Sequence, residues 1–403
     1  MVLKMREKWG WKKLKDICLN KGEYGSGARK VEYDGKVRYI RITDIDDDGK
    51  LRNDEVVSPS IIEEKYFLEK DDLLFARSGS VGRTYLHQED KGRYQYAGYL
   101  IRFKIDKTKA IPKYIYFFTK SSQYRSWVNK TRRSGTLSNI NAKEYSNLLI
   151  PLPPLPIQKR IVSILEKAEK LKERRKKANE ETNKIIQSVF YEMFGDVKRN
   201  PHNFKKAVIG DVAKLQGGFA FKSKDYTDEG IRLVKITNVH HDKLNWNEIS
   251  YLPMNYAIEY KEFLLKEGDI VVAMTRPIIK SLNSVKVVQV HKDDLPALLN
   301  QRVGRFKILN NKLIKEYLLY FCYTDDFKKE IKKFSSISLQ PNVSSSQIES
   351  IKILLPPLPL QLKFASIVKK IEAMKERQKK STEDINQLFD ALMQKAFKGE
   401  LVS

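Results

Sequence analysis

Two stretches of the chain carry apolar residues at alternating four- and three-residue steps. In the first they fall at Ile157, Ile161, Ile164, Ala168 and Leu171, then at Ala178, Ile185 and Val189. In the second they fall at Leu360, Phe364, Ile367, Ile371 and Met374, then at Ile385, Leu388 and Leu392. This spacing keeps one apolar stripe along a helix and is that of a coiled-coil seam. Both stripes turn polar at the middle, at Arg175 and Thr182 in the first and at Gln378 and Ser381 in the second. An antiparallel pairing would set these polar centres opposite one another, fixing register at a cost in stability. Each helix is expected to run for about 36 residues, or about 54 Å. Prolines stand just before and at both helix starts, where a missing N–H costs little.

Elsewhere the pattern is mixed. Val37–Ile42 alternates and reads as a strand, with Leu73–Ala76 and Tyr99–Phe103 as further strands. Ile111 to Asn129 reads as a single aromatic-rich helix carrying Tyr114, Phe117, Phe118 and Trp127. These features recur. Pro153-Pro154-Leu155-Pro156-Ile157-Gln158 returns as Pro356-Pro357-Leu358-Pro359-Leu360-Gln361, and Lys172-Glu173-Arg174 as Lys375-Glu376-Arg377. Tyr39–Asp44 is similar to Leu233–Asn238, Arg102–Ile105 matches Arg305–Ile308, and Tyr114 falls opposite Tyr317. A period of about 200 residues is too long for a solenoid, whose units run roughly 20–50 residues, so it marks two copies of a whole module. The expected fold class is α/β (α+β), with two globular domains, two long antiparallel coiled-coil helices and a pseudo-two-fold internal repeat. The pattern divides the chain into mixed segments at 1–150 and 196–355 and helical segments at 151–195 and 356–403.

Charge narrows the partner. In 403 residues Lys+Arg is 76 against 50 for Asp+Glu, a net charge of +26. Such an excess points to a polyanion, with cations available to replace counterions on phosphates. A Lys/Glu-rich thermophile surface would account for many charges but not for their imbalance. No run of 18 apolar residues and no lipidation motif supports a membrane partner. Met1-Val2-Leu3-Lys4-Met5-Arg6 lacks the apolar region of a secretion signal, and Cys18 and Cys322 lack metal-ligand spacing, so a reducing cytoplasm is expected.

The repeated stretches resemble the specificity subunit of type I restriction-modification enzymes. The resemblance covers the whole chain. It is carried by Ile150–Ile161, Phe190–Asp196, Gln394–Leu401, Trp11–Cys18 and Phe75–Gly82. It implies that each mixed segment is a target recognition domain for one half of an asymmetric bipartite site in double-stranded DNA. It also implies that the helices set the unread gap and dock two methyltransferase subunits. Restriction subunits would join that complex. S-adenosylmethionine, ATP and Mg would be bound by these partners, with no cofactor and no catalytic residue on this chain.

Candidate DNA-binding residues are polar, lie on loops and differ between the copies. In the first domain they are Arg77, Ser78, Ser80 and Arg83, with Gly79 and Gly82 allowing close backbone approach. Arg132, Arg133, Ser134, Thr136, Asn139 and Asn141 form a second polar loop. Arginine suits guanine and asparagine suits adenine in the major groove, while serine and threonine more often fix phosphates. In the second domain the candidates are Lys222, Arg276, Lys280, Gln301, Arg302, Gln340 and Asn342. The aligned loop Met274–Lys280 departs from the pattern of Arg77–Gly82.

Other readings remain open at this level. A stand-alone coiled-coil DNA-organising protein accounts for the charge and helices equally well. An enzyme has weaker support. Glu259-Tyr260-Lys261 with Asp242 could form a nuclease site, and His240-His241-Asp242 could hold a metal, but such triplets arise by chance in a charged chain. Asn200-Pro201-His202-Asn203-Phe204 lacks the second proline of an adenine-methyltransferase signature. Gly22–Arg29 has phosphate-loop glycines without the Lys-Ser/Thr, and reads as a mobile loop.

Overall fold

The computed structural model describes residues 9–131, 139–240, 243–274, 285–335 and 343–402. The chain divides into two compact units, Met1–Lys176 with Lys379–Ser403, and Lys177–Gln378. In the first unit the strands that frame the site are β1 (Gly10–Lys13), β2 (Glu23–Tyr24), β3 (Leu73–Ala76), β4 (Thr84–Leu86), β5 (Leu100–Phe103) and β6 (Leu149–Leu152). The main sheet has the order β2-β5-β3-β4 and is antiparallel throughout. β3 and β5 are buried along their whole length, as their unbroken apolar runs require. Beside this sheet Val37–Ile40 pairs in parallel with Arg93–Tyr96. The stretch Leu149–Leu152, partly assigned above to a helical segment, is instead strand β6, with Gly10 opposite Leu152 and Lys13 opposite Leu149.

The single helix expected over 111–129 is two, α1 (Pro112–Phe118) and α2 (Ser122–Thr131). The hydroxyls in the gap explain the break. Thr119 Oγ1 donates back to the Tyr116 carbonyl at 2.7 Å, and Ser121 Oγ accepts the Tyr124 N–H at 3.2 Å. Both bonds offer the backbone an alternative to continued helix. A short helix α3 (Ala142–Ser146) follows, then the long helix α4 (Leu155–Phe194). Gly22–Arg29 is not the loose loop expected. It contains β2, and Gly25 and Ser26 donate backbone bonds to Leu100 and Tyr96.

The second unit repeats the plan with β7 (Lys205–Val208), β8 (Ala213–Gly217), β9 (Ile270–Ala273), β10 (Val287–Gln289), β11 (Val303–Ile308) and β12 (Lys352–Leu355). Its main sheet runs β8-β11-β9-β10, and β7 pairs with β12. Ile231–Val234 pairs in parallel with Ala297–Leu299. Helices α5 (Lys315–Tyr323), α6 (Asp325–Ser335) and α7 (Ser345–Glu349) precede the second long helix, α8 (Leu358–Lys398).

Each unit's core contains the beginning of one long helix and the end of the other. In the first, Ile161, Leu165 and Ala168 share a core with Phe389, Met393, Ala396 and Phe397. In the second, Ile186, Phe190 and Phe194 share one with Phe364, Val368 and Ile371. The paired segments therefore run antiparallel. The buried line keeps part of the expected heptad seam, at Ile161, Ala168, Phe364 and Ile371, and departs from it elsewhere. Leu171, Ile185, Met374 and Leu388 are exposed, whereas Leu165, Ile186, Val368 and Phe389 are buried. The helices bury a broad face against a domain as well as each other, and such a face follows 3.6-residue spacing. The polar centre is present in the second unit, where Gln378 Nε2 donates to Thr182 Oγ1 at 3.0 Å.

The repeated glutamine is fully buried in both units. Gln158 Oε1 accepts the Ile111 N–H at 2.8 Å, and its Nε2 donates to the Lys109 and Pro153 carbonyls at 3.3 and 2.8 Å. Gln361 makes the same bonds to Ile314 (3.1 Å), Lys312 (2.8 Å) and Pro356 (2.8 Å). Tyr114 and Tyr317 add matching bonds to the carbonyls of Pro151 (2.6 Å) and Leu354 (2.9 Å). In the first unit an ionic cluster adds to this attachment. Glu169 meets Lys113 and Lys120, each at 3.4 Å, and Lys50 pairs with Glu173.

Replacing Gln158 with leucine strands the Ile111 N–H and the Pro153 carbonyl in an apolar site, and is expected to cost about 2–4 kcal/mol. A urea melt checks this, and a midpoint equal to wild type would refute it. Burial on its own pushes the Glu169 carboxyl up, but Lys120, Lys113 and Lys50 together hold it below the usual range. A depressed folded pKa stabilises fully above the unfolded carboxylate pKa, and this contribution is lost as pH falls through the folded value. Glu169→Gln should therefore lower stability by about 1–3 kcal/mol at neutral pH. The gap from wild type should close on acidification, whereas a pH-independent gap would exclude the ionic account.

Candidate nucleic-acid interface

In the first unit the site forms where β3 runs out into the segment Arg77–Arg83. The Arg77 N–H donates to the Tyr99 carbonyl at 2.9 Å, and its own carbonyl accepts the Ile140 N–H at 2.9 Å. Ser78 and Asn139 form an isolated antiparallel bridge. The Tyr145 hydroxyl, fully buried, donates to the Ala76 carbonyl at 2.8 Å and accepts the Gly82 N–H at 3.2 Å, tying the two ends of the turn together. Gly79 and Gly82 both have φ in the left-handed region, at 69° and 86°. A Cβ on Gly82 would meet Val128 Cγ1 at 2.9 Å, so glycine is needed there for space as well as conformation.

The candidates around this turn have different surroundings. Arg77 Nε lies 3.4 Å from Asn139 Oδ1, and its guanidinium carbon sits 4.8 Å from the centre of the Tyr24 ring. Among the described residues, neither terminal amine of Arg77 has a hydrogen-bond partner. Arg83 is directed elsewhere. Its Nη1 donates to the Ile45 carbonyl at 3.0 Å and its Nη2 pairs with Asp47. Asn141 is the N-cap of α3, accepting the Glu144 N–H at 3.0 Å while Glu144 accepts the Asn141 N–H at 2.8 Å. Its amide oxygen satisfies an orphan helix donor. Ser80 is half-buried in the turn, its carbonyl accepting the Arg83 N–H. The structure thus brings Arg77, Ser78 and Asn139 together, and commits Arg83 and Asn141 to internal contacts. Arg132, Arg133, Ser134 and Thr136 lie outside the described residues, as do Arg276, Lys280, Gln340 and Asn342.

Two aromatic residues belong to this site that the sequence reading passed over. Tyr24 is 41% exposed beneath Arg77, and Tyr99 is 60% exposed on the segment that receives the Arg77 N–H. The signal available was the pair of tyrosines beside glycines at Gly25 and Gly98, a combination suited to exposed rings on tight backbone. Behind Tyr24, Arg102 is buried. Its Nε and Nη2 donate to Glu23 Oε2 at 3.0 and 2.5 Å, and Nη1 to the Phe67 carbonyl at 2.8 Å, with Asp72 at 3.4 Å. Burial pushes the Asp72 carboxyl up, partly offset by the Glu69 N–H and the Arg102 charge. Burial also pulls on Arg102, but Glu23, Tyr96 and Asp72 raise its pKa overall and keep it charged.

The second unit keeps the frame and changes the surface. Arg305 repeats Arg102, with Nη1 on the Leu264 carbonyl at 2.8 Å and Asp269 at 3.1 Å, and Nη2 on Gln216 Oε1 at 2.6 Å. Gly218 repeats Gly25. A Cβ on either would lie 2.2–2.4 Å from a carbonyl oxygen, of Asn300 in one case and of Ala97 or Tyr96 in the other. Met274 takes the place of Arg77, its N–H donating to the Arg302 carbonyl at 2.8 Å and its carbonyl accepting the Val343 N–H at 2.8 Å. Gln301 and Arg302 are exposed at this position, Arg302 with φ 70°, and the Gln301 N–H donates to the Phe219 carbonyl at 2.7 Å. Lys222 is exposed just after Phe221. Phe219, Phe221, Tyr260 and Phe263 form one ring cluster, which takes up the centre of Glu259-Tyr260-Lys261. Asp242 and His241 lie outside the described residues. Asn200 acts as a backbone substitute, its side-chain amide bonding both the N–H and the carbonyl of Phe204.

A family model described as the type I restriction modification DNA specificity domain matches residues 6–182 and again 201–387. The chain is 30% identical over 310 residues to the type I restriction enzyme MjaVIII specificity subunit of Methanocaldococcus jannaschii, covering 74% of this chain and 72% of that one. It is 31% identical over 159 residues to the EcoAI specificity subunit of Escherichia coli, covering 40% of this chain and 26% of that one. A chain from a solved structure concerning assembly and conformational transition of the type I R-M system shares the fold. It aligns over 98% of both chains at 17% identity with a TM-score of 0.61.

The contrast between the two arginines gives a test. Arg77→Ala should weaken duplex DNA binding by about 1–3 kcal/mol while leaving the urea midpoint in place. Arg83→Ala should shift the midpoint and spare binding in the folded fraction. Equal binding losses from both changes would reject the assignment.

Proposed function

This chain belongs to the type I restriction-modification specificity subunits and carries two of their DNA specificity domains in tandem, and from that premise we propose that it chooses where such a complex acts on double-stranded DNA. Each unit reads one half of an asymmetric bipartite site. The helices α4 and α8 set the unread gap and dock two methyltransferase subunits, and restriction subunits complete the assembly. The chain performs no catalysis of its own. S-adenosylmethionine, ATP and Mg act on the partner subunits, and the complex works in the cytoplasm.

One observation carries this reading. The two units share sheet order, buried arginine, buried glutamine and close-approach glycine, yet differ in the residues that the frame holds at the site, where Met274 packs back against its own core. Arg77 is replaced by Met274 and Tyr99 by Arg302 on the same backbone bonds. A frame retained while its surface diverges suits two readers of different sequences. The net charge of +26 suits a phosphate backbone as the common partner.

The decisive experiment co-expresses the chain with a type I methyltransferase subunit from the same genome in a methylation-free host and maps modified adenines. The expected result is one bipartite motif with a fixed gap, lost when this chain is omitted. Adding a heptad to both α4 and α8 should lengthen each by about 10 Å, equivalent to about three base pairs of gap. No motif from an active methyltransferase would favour an architectural DNA-binding role, and an unchanged gap would remove the helices as the ruler.

A further inference from the structure

The backbone register makes Tyr24 and Gly217 equivalent. Glu23 stands opposite Arg102 and Tyr24 opposite Ile101 on β5, while Gln216 stands opposite Arg305 and Gly217 opposite Gly304 on β11. Arg77 and Met274 are equivalent by the bonds given above. The arginine and the ring beneath it are therefore present together in the first unit and absent together in the second. Within one chain, two positions far apart in sequence change as a pair while the frame around them stays.

We infer that Tyr24 is a positioning residue for Arg77, and that the two with Asn139 form a guanine-reading element for the half-site of the first unit. A guanidinium has a flat face, an Nε and a terminal fork. Here the guanidinium carbon lies over the Tyr24 ring, 4.8 Å from its centre, and the Nε is directed at Asn139 Oδ1 at 3.4 Å. Held at the ring on one side and at Nε on another, the group has its position and rotation restrained. Among the described residues nothing engages the fork, two parallel N–H groups whose spacing matches O6 and N7 of guanine in the major groove. A phosphate contact needs charge near the backbone and gains little from fixed orientation, whereas reading a base edge requires it.

Tyr24 is itself anchored. Its hydroxyl accepts the Ala142 N–H at 3.1 Å, its backbone lies in the β2–β5 ladder, and its neighbour Glu23 is held by Arg102. The ring is thus a fixed platform rather than a side chain that follows the arginine. Removing the ring should leave the charge of Arg77 in place and free its orientation.

This inference rests on the proposal that the first unit reads one half of a bipartite site, and the test separates the two. Methylation motifs are compared for complexes containing the wild-type chain, Arg77→Ala, Tyr24→Ala and Tyr24→Phe. The expected outcome is that Arg77→Ala and Tyr24→Ala relax the same single G·C pair by about tenfold. The other half-site should stay intact, and Tyr24→Phe, which keeps the ring but loses the hydroxyl contact to Ala142, should retain more discrimination than Tyr24→Ala. The preserved second half-site shows that the Tyr24→Ala complex is folded and assembled. Tyr24→Ala with wild-type discrimination, or with uniform weakening at every base, overturns the positioning role. Uniform weakening by Arg77→Ala marks a phosphate contact and overturns the guanine assignment. A wild-type complex giving no bipartite motif defeats the underlying proposal, visibly and without reference to the variants.

Discussion

A long helix that leaves a domain has to be fixed at its root, and here a buried amide does this. Gln158 and Gln361 each join the carbonyl before a helix start to the N–H that opens an aromatic helix and to the carbonyl two residues earlier. A side-chain amide can bond a donor and two acceptors at once, so one residue satisfies three backbone groups that burial would otherwise leave stranded. The proline-rich lead-in removes N–H groups at the point where the chain turns from strand to helix. Rigid direction at the helix root follows from these bonds, and every proposal about spacing depends on it.

The frame of the units was readable because it is written in repeated, strongly patterned residues. Leu73–Ala76 is a strand as read, the long helices start within a few residues of the expected positions, and Arg102 matches Arg305 in structure as in sequence. The errors have local causes. Hydroxyls at Thr119 and Ser121 broke a helix that apolar periodicity joined. A heptad template selected Ile185 and Leu388, whereas packing against a domain buried Ile186 and Phe389, one position on.

The candidate site was only partly readable, because polarity alone does not show where a side chain's hydrogen bonds go. Arg77, Arg83 and Asn141 look alike as polar loop residues. Among the described residues, one keeps its fork, one is bound to Asp47, and one caps a helix. The aromatic partner Tyr24 carried no charge or motif to draw notice. Its role depends on a strand pairing across some eighty residues of sequence, between Tyr24 and Ile101.

The two units also differ in how the chain supplies them. The second is one continuous segment, Lys177–Gln378, whereas the first is assembled from residues before Lys176 and residues after Lys379. Phe397 packs on Tyr114 and Phe118 at 5.4 Å, and Val402 belongs to the same core. As the chain leaves the ribosome, the second unit can bury its core while the first still lacks part of its own. Closure of the first unit must bring together residues separated by most of the chain, the kind of non-local contact that slows folding. The unit synthesised first is thus the last to have all its residues, and it can close only after the whole of the second has been made.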